Sequence, residues 1–539
     1  MKEYNAQVIV VGGGVTGTGI LRDLSMRGIS ACLFERGDLA QGTSSRFHGL
    51  LHSGARYVVN DPESAVECSR ENTILQQIAP ECIVNTGGWF VQKEEDDPIF
   101  LEKWLSGCAQ ANIAVREIPA GEAKRREPLL SKQVLRVFEV SDAVVDGFKL
   151  IWANAKSAYQ YGGRYYTYHN VNRLLIEGKR VVGVVGENVI TGEKFVAHAE
   201  ILVNATGAWA GELLKPAGAS LQVICNKGAL LAFNQRIFRR VINRLRQPGD
   251  GDIFVPHETI TILGTTSNTV IDPADNSPSV AEVNRLLALG DEVVPNLARF
   301  RVIRAFAGVR PLYGGDQGNG GPEDGRGVSR NFALIDHEAL GEVNGLLSVV
   351  GGKFTTYRLM AERAGDWVSR KLGNSVPSRT AIESLSTATV TLPESTVKLL
   401  PHPAAEKLIY RQGEQAGTIL AEIKRDPQQA QLLCECEMVT MAEVKAVIAD
   451  PDSHHLADVR RKTRLGMGTC QGAFCTYRAI PLLWEKGRSY KSLRGELKEF
   501  LDQRWKGIRP VLYGSQIRET ELARAVYNCV LNLNAEEEE

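Results

Sequence analysis

Four cysteines, Cys434, Cys436, Cys470 and Cys475, stand within 42 residues of a chain whose other six are scattered singly. Isolated cysteines behave as small buried hydrophobes in a reducing compartment, whereas four clustered thiols there serve a metal far more often than disulfides. The spacing is Cys-x-Cys, 33 intervening residues, then Cys-x₄-Cys, with Gly466, Gly468 and Gly472 leaving room for sulfur beside backbone N–H groups. Zinc accepts four thiolates, but its ribbons favour Cys-x₂-Cys. The rest of the chain has the marks of redox chemistry, and a [2Fe–2S] cluster is the expected occupant.

A second group lies near the start. Residues 42–57 read Gly-Thr-Ser-Ser-Arg-Phe-His-Gly-Leu-Leu-His-Ser-Gly-Ala-Arg-Tyr. Thr43, Ser44, Ser45, His48 and Gly49 offer hydroxyl, ring and backbone groups to a polar ligand. Arg46, His52, Arg56 and Tyr57 add charge and proton-transfer capacity within the same short run. An ordinary polar loop is rarely so rich.

The element that would position these groups is the stretch before them. Four β-formers, Val8 to Val11, run into Gly12, Gly14 and Gly17 and then a helical pattern. A second apolar run, 31–34, ends on Glu35 and Arg36, the acid lying 18 residues after Gly17. Strand, Gly-x-Gly-x-x-Gly, helix, strand and acid form the dinucleotide-binding fingerprint. Its glycines serve a tight turn, a close pyrophosphate and helix–strand packing. The helix N-terminus faces the phosphates, and Glu35 is expected to bond a ribose. Two later strand ends repeat the grammar. Ala205-Thr206-Gly207 follows the strand 201–203, and Gly351-Gly352-Lys353-Phe354-Thr355-Thr356 follows 346–350, with a helix on to 372.

Elsewhere the periodicities predict helices over 61–80, 98–112, 149–161 and 280–297. Short strands and turns fill 113–150, and the strand pair 164–176 and 180–188 follows. A mostly two-residue period from 225 to 266 suggests an antiparallel sheet walling a substrate chamber. Within it, 236–246 holds five arginines and no acid, with Ile237, Val241 and Leu245 at helical spacing. That segment reads as an amphipathic helix, solvated or docked on a membrane or partner. The glycine-rich run 314–327 reads as a mobile loop, and 374–430 as a linker with a small helical spacer.

Lys plus Arg equals Asp plus Glu at 63 each, so the totals point to no nucleic-acid partner. At 539 residues the chain needs several units. No apolar run spans a bilayer, and Met1-Lys-Glu-Tyr leads straight into a strand without a signal peptide. A cytoplasmic protein, peripheral at most on a membrane, is expected.

The glycine loop, Leu51-His-Ser-Gly-Ala-Arg-Tyr57, Gly308-Val-Arg-Pro311, Val328-Ser-Arg330 and Gly351-Gly-Lys-Phe-Thr-Thr-Tyr-Arg358 resemble the FAD-dependent glycerol-3-phosphate dehydrogenase family. The likeness covers about residues 5–375. The four-cysteine tail resembles the bacterioferritin-associated-ferredoxin-like [2Fe–2S] domain, and the combination resembles catalytic subunits of anaerobic glycerol-3-phosphate dehydrogenase complexes. The resemblance implies an α/β glutathione-reductase-type FAD-binding Rossmann domain with an antiparallel-sheet substrate domain (1–375). A spacer (376–430), an iron–sulfur domain (431–485) and a helical tail (486–539) would follow.

It further implies that Arg56, Tyr57, Arg310, Arg330 and Lys353 gather around the substrate phosphate and reacting carbon, with His52 taking the C2 hydroxyl proton. FAD would be held by Gly12, Gly14, Gly17, Glu35, Ser44, Ser45 and the 351–356 turn. The implied reaction oxidises glycerol 3-phosphate to dihydroxyacetone phosphate, with electrons passing through the cluster to partner subunits and a membrane quinone. One departure is Ser53-Gly-Ala, where many relatives carry Gly-Gly-Leu or Gly-Gly-Ile. Other readings are an amino-acid or 2-hydroxy-acid dehydrogenase of the same fold, a non-catalytic electron-transfer subunit, and a zinc-stapled oxidase using O₂.

Overall fold

A computed structural model describes residues 1–314, 328, 330–385 and 398–533. The strand Val8–Val11 is wholly buried, as a parallel strand covered on both faces must be. It is central in a six-stranded sheet whose order is Arg164–Tyr166, Ala31–Phe34, Val8–Val11, Ile201–Asn204, Leu346–Gly351 and Phe332–Asp336. Every neighbour pair is parallel except the last. The helix Val15–Met26 packs on one face of this sheet, with Gly147–Gln160 and Tyr357–Leu372 beside it. The core there draws on Ile20, Leu24, Leu150, Met360 and Val368. A four-stranded sheet of Lys2–Asn5, Lys194–His198, Arg180–Asn188 and His169–Glu177 covers the other side.

The second large sheet has nine strands and its own core around Trp89, Leu231, Phe238 and Phe254. Its long strand Ile224–Phe233 pairs antiparallel with Val302–Leu312 and Ile260–Gly264. This sheet corrects the reading of 236–246 as a helix. Val241–Arg244 is a buried strand lying parallel to Gly88–Val91. Arginines that lack local acids find them elsewhere: Arg244 bonds Asp96 at 2.6 Å, and Arg240 bonds Glu127 at 3.2 Å while stacking 4.1 Å over Trp89. A helical projection cannot see partners over a hundred residues away. Two smaller differences are the short helix Ala120–Arg126 within the region read as strands and turns, and the end of the 280–297 helix at Asp291.

Past the sheets, residues 374–385 are tied to the first domain, with Arg22 donating to the Glu383 carbonyl at 2.8 Å and Ser378 to Asp23 at 2.5 Å. The helices His402–Gln412 and Gln415–Arg425 share a core with Leu400 and Ala442, so the spacer is packed rather than extended. The cysteine region folds around Leu433, Val444, Val459, Leu483 and Phe500. The tail is helical over Tyr490–Ile508 and Ser515–Val530. The run 315–327, most of the glycine-rich loop, lies outside the described residues, as do 329, 386–397 and 534–539. No described helix is long and apolar enough to cross a membrane.

Candidate functional site

The carboxyl ends of the parallel strands open into one cavity of about 1560 Å³. Ordinary ligand pockets hold roughly 300–1,000 Å³, so this one has room for a dinucleotide and a substrate together. At its base Gly12 adopts φ +111°, where a side chain would be strained and its Cβ would lie 2.5 Å from the Ala205 carbonyl. A Cβ on Gly17 would lie 1.9 Å from the Gly12 carbonyl, so only glycine lets the helix approach the strand.

Gly14 begins the helix without a side-chain cap and leaves the donor end towards the cavity. Ser44 Oγ accepts from the Val15 N–H at 3.1 Å, and Glu35 accepts from Gly13 at 2.6 Å and Gly37 at 3.0 Å. A carboxylate has further acceptor sites for a ribose. Arg36 stacks 4.2 Å over Trp209, closing the rim beside Ala205, Thr206 and Gly207. This open donor turn, with an acid on the next strand and a long groove, fits FAD.

The cavity continues past Thr43, Ser45, His48 and Gly49 to a wall of polar side chains. The His52 ring lies 3.4 Å from the Tyr57 hydroxyl and edge-on to His48, and its backbone N–H is fixed by Thr355 Oγ1 at 3.1 Å. Burial, then the neighbouring His48, Arg56 and Lys353, hold His52 well below its ordinary value. His48 is pushed down to about 3, chiefly by burial and then Arg310 and Arg56. Both rings are therefore neutral and open to a proton at neutral pH. Burial raises the Tyr57 phenol, which stays protonated.

Lys353 lies 4.7 Å over the Tyr57 ring, donates to Ser64 Oγ at 2.7 Å and to the Arg330 carbonyl at 3.0 Å, and is lowered by burial. Arg310 is braced from three sides, donating to Asn226 Oδ1 at 2.6 Å, Thr265 Oγ1 at 2.5 Å and the Thr266 carbonyl at 3.3 Å. Such a fork is fixed before a phosphate arrives.

His52, Arg56, Tyr57, Arg310, Arg330 and Lys353 thus share one cavity with Gly12, Gly14, Glu35, Arg36, the 43–49 run, 205–207, Gly351, Gly352 and Phe354. Their contacts within the protein differ. Arg56 is ion-paired to buried Asp252 at 3.1 Å, so its charge is partly spent inside the protein. Gly17, Thr355 and Thr356 do not line the cavity; the two threonines are buried and fasten His52 and Lys353.

Sequence reading missed His257, whose Nε2 lies 2.7 Å from the His48 carbonyl oxygen, and Phe47, which stacks on Phe354 at 4.3 Å. Phe47 stands in the 42–57 run but carries no polar group to draw notice, and His257 stands in no motif. A lone histidine ending a strand of apolar residues carries no local signal.

The thiols of Cys434 and Cys470 are each hydrogen-bonded by Cys475 and lowered by it, and backbone N–H groups at Gly466 and Gly472 turn towards them. Cys436 lies 3.4 Å from Thr469 Oγ1. Among the described residues no group of three or more His, Cys, Asp or Glu closes a ready single-ion cage. Four thiols with inward N–H donors suit a thiolate-held cluster. The cysteine region is pinned to the flavin fold by Arg461 to Asp38 at 2.7 Å and by Tyr168 to Asp458 at 2.7 Å. His455, Arg460, Gln471 and Phe500 of that region line the same cavity.

Comparison with known proteins agrees with this geometry. Residues 7–358 match the FAD dependent oxidoreductase family, and 432–484 match the BFD-like [2Fe-2S] binding domain. The chain is 41% identical to the A-subunit of the anaerobic glycerol-3-phosphate dehydrogenase of Escherichia coli (strain K12), covering 100% of both chains. It is 42% identical to the A1-subunit of the Haloferax volcanii enzyme of the same name, over 97% of this chain and 90% of that one. In fold it is similar to the glycerol-3-phosphate dehydrogenase from Bacillus halodurans complexed with FAD, with a TM-score of 0.72 at 21% identity over 95% and 96% of the two chains. The chain belongs to the A-subunit family of anaerobic glycerol-3-phosphate dehydrogenases, FAD-dependent oxidoreductases that carry a BFD-like [2Fe–2S] domain.

Proposed function

We propose that this protein oxidises sn-glycerol 3-phosphate to dihydroxyacetone phosphate and passes the electrons to partner subunits and a membrane quinone. The observation that carries this reading is the single cavity joining the dinucleotide loop, the His52–Arg310–Lys353 wall and the cysteine region. FAD, when bound, supplies the hydride acceptor, and the [2Fe–2S] cluster supplies a one-electron exit.

The protein's own residues do the rest. Arg310, fixed by Asn226 and Thr265, and Arg330 of the same cavity hold the phosphate and set the C2 carbon in place. Neutral His52 takes the C2 hydroxyl proton, and the Tyr57 hydroxyl keeps its ring oriented. Lys353 places positive charge where alkoxide character develops. The groups holding FAD are Gly12, Gly14, Glu35, Arg36, Thr43, Ser44, Ser45, His48, Gly49, 205–207 and 351–354, with Gly17, Thr355 and Thr356 shaping them. Cys434, Cys436, Cys470 and Cys475 hold the cluster.

We propose division into 1–375, 376–430, 431–485 and 486–539: the two large sheets of the first unit have cores of their own, while Ala442 packs into the core of the spacer and Leu493 and Phe500 of the tail pack into the core of the cysteine region. We place the protein in the cytoplasm, on the inner face of the membrane through its partners, because the relatives are named as one subunit of an assembly.

The test is a visible spectrum of anaerobically purified protein before and after glycerol 3-phosphate. Flavin bands that bleach above a broad iron–sulfur background are expected. Flavin that stays oxidised would overturn the substrate assignment and point to hydroxy or amino acids.

A further inference from the structure

Most basic residues between the flavin fold and the cysteine region are neutralised. Arg461 pairs with Asp38 and Asp458, and Arg464 with Glu437 at 3.1 Å. A second set is not. Arg46, Arg304, Arg460 and Arg504 have no carboxylate partner among the described residues. Arg46, Arg304 and Arg460 line the cavity, whereas Arg504 stands behind it near Cys470.

Their polar contacts are few. Arg304 donates to the Gln503 carbonyl at 3.4 Å, and Arg460 faces the Phe500 ring at 5.7 Å. The buried Nε atoms of Arg460 and Arg504 have no hydrogen-bond acceptor. Of the nearby acids, Glu496 is engaged by the Leu456 N–H and Arg488, and Glu499 is exposed. All four residues are half-buried, and grouping guanidinium charges away from bulk water without counter-charge is costly, which favours a negative partner.

The negative partner is within reach. Arg460 faces the Phe500 ring, and Arg504 stands one turn after Phe500 on the helix Tyr490–Ile508, on the side of Cys470. Phe500 packs against Gly472 of the same cysteine turn, where an added Cβ would lie 2.5 Å from its ring. We propose that Arg460 and Arg504, with Arg304 behind them, are the fixed counter-charge of the iron–sulfur cluster and raise its reduction potential so that electrons leave the flavin site towards it.

A cluster held by four thiolates carries net negative charge, and reduction increases it by one. A hydride delivers two electrons to the flavin site, and the cluster would accept them one at a time, each passing on before the next. No proton is needed at the arginines, since burial lowers Arg460 only to about 10 and Arg304 only to about 9. These are positioning residues that act through charge and touch no substrate.

This inference rests on the cluster reading above and is independent of the substrate. The test is an EPR-monitored redox titration of the full chain with dithionite and mediators, which needs no glycerol 3-phosphate. In R460Q and R504Q the reduced-to-oxidised ratio at the parent midpoint should fall about tenfold, about 59 mV for a one-electron couple. R460K keeps the charge and should titrate close to the parent. Should R460Q fail to hold its cluster, R504Q alone decides. Variants that titrate with the parent, R460K shifted as far as R460Q, cluster loss in both Gln variants, or zinc in place of iron in the parent would each overturn the proposal.

Discussion

The roles proposed for His52 and Arg310 separate binding from chemistry within one cavity. Arg310 is held in the cavity wall by Asn226, Thr265 and Thr266. Loss of a charge-assisted contact costs about 1.5–3 kcal/mol, so Arg310→Ala should raise KM roughly 10- to 100-fold while FAD stays bound. His52→Asn should instead lower kcat by about 10²–10⁴ with little change in KM. Steady-state kinetics beside the flavin absorbance of each purified variant separate the two; equal effects on both constants would contradict the division of labour.

Two half-buried histidines of the cavity wall also make a thermodynamic prediction. His48 and His257 fall from 6.5 to about 3 and about 4, so between those values and 6.5 the unfolded chain binds protons that the folded chain refuses. Their contribution is intact above 6.5 and declines on acidification, by about 2 kcal/mol for each histidine near pH 5. A urea midpoint that stays level from pH 7 to pH 5 would refute this.

At the scale of elements, the glycine turn is the most demanding piece. Gly17→Ala would drive a methyl group into the Gly12 carbonyl, 1.9 Å away, and should abolish FAD retention through a displaced helix. Flavin fluorescence of the eluted protein measures it. This turn was legible in sequence because its chemistry is local: four β-formers, three glycines and Glu35 lie within 28 residues. The thiol set and the 42–57 run were legible for the same reason.

Long-range pairing was not. Arg56 is read as a substrate group from its motif, yet Asp252, 196 residues away, holds it at 3.1 Å. Val241–Arg244 looks helical by spacing because burial in a sheet, acids from distant strands and the Trp89 ring override a local period. His257 enters the site only because Ile253–His257 pairs with Ile260–Gly264 beneath the 42–57 run.

For the molecule as a whole, the decisive contact is the clamp between its two redox regions. Arg461 meets a fully buried Asp38 at 2.7 Å. Breaking a buried pair typically costs about 3–5 kcal/mol. Arg461→Ala should therefore loosen the docking: stopped-flow traces would show flavin bleaching at the parent rate and reduction of the iron–sulfur bands delayed. Parallel slowing of both phases would mean that the clamp serves the flavin site instead. The order of strands carries a last consequence, for biosynthesis. Leu346–Gly351 pairs with Ile201–Asn204, which pairs with Val8–Val11, so the first and last walls of the nucleotide groove are made 339 residues apart. At about 5–20 residues per second the ribosome needs on the order of 20–70 s between them. For that interval the nascent glycine turn has no finished sheet around it, and flavin capture waits for residue 351, before the four clustered cysteines have been translated.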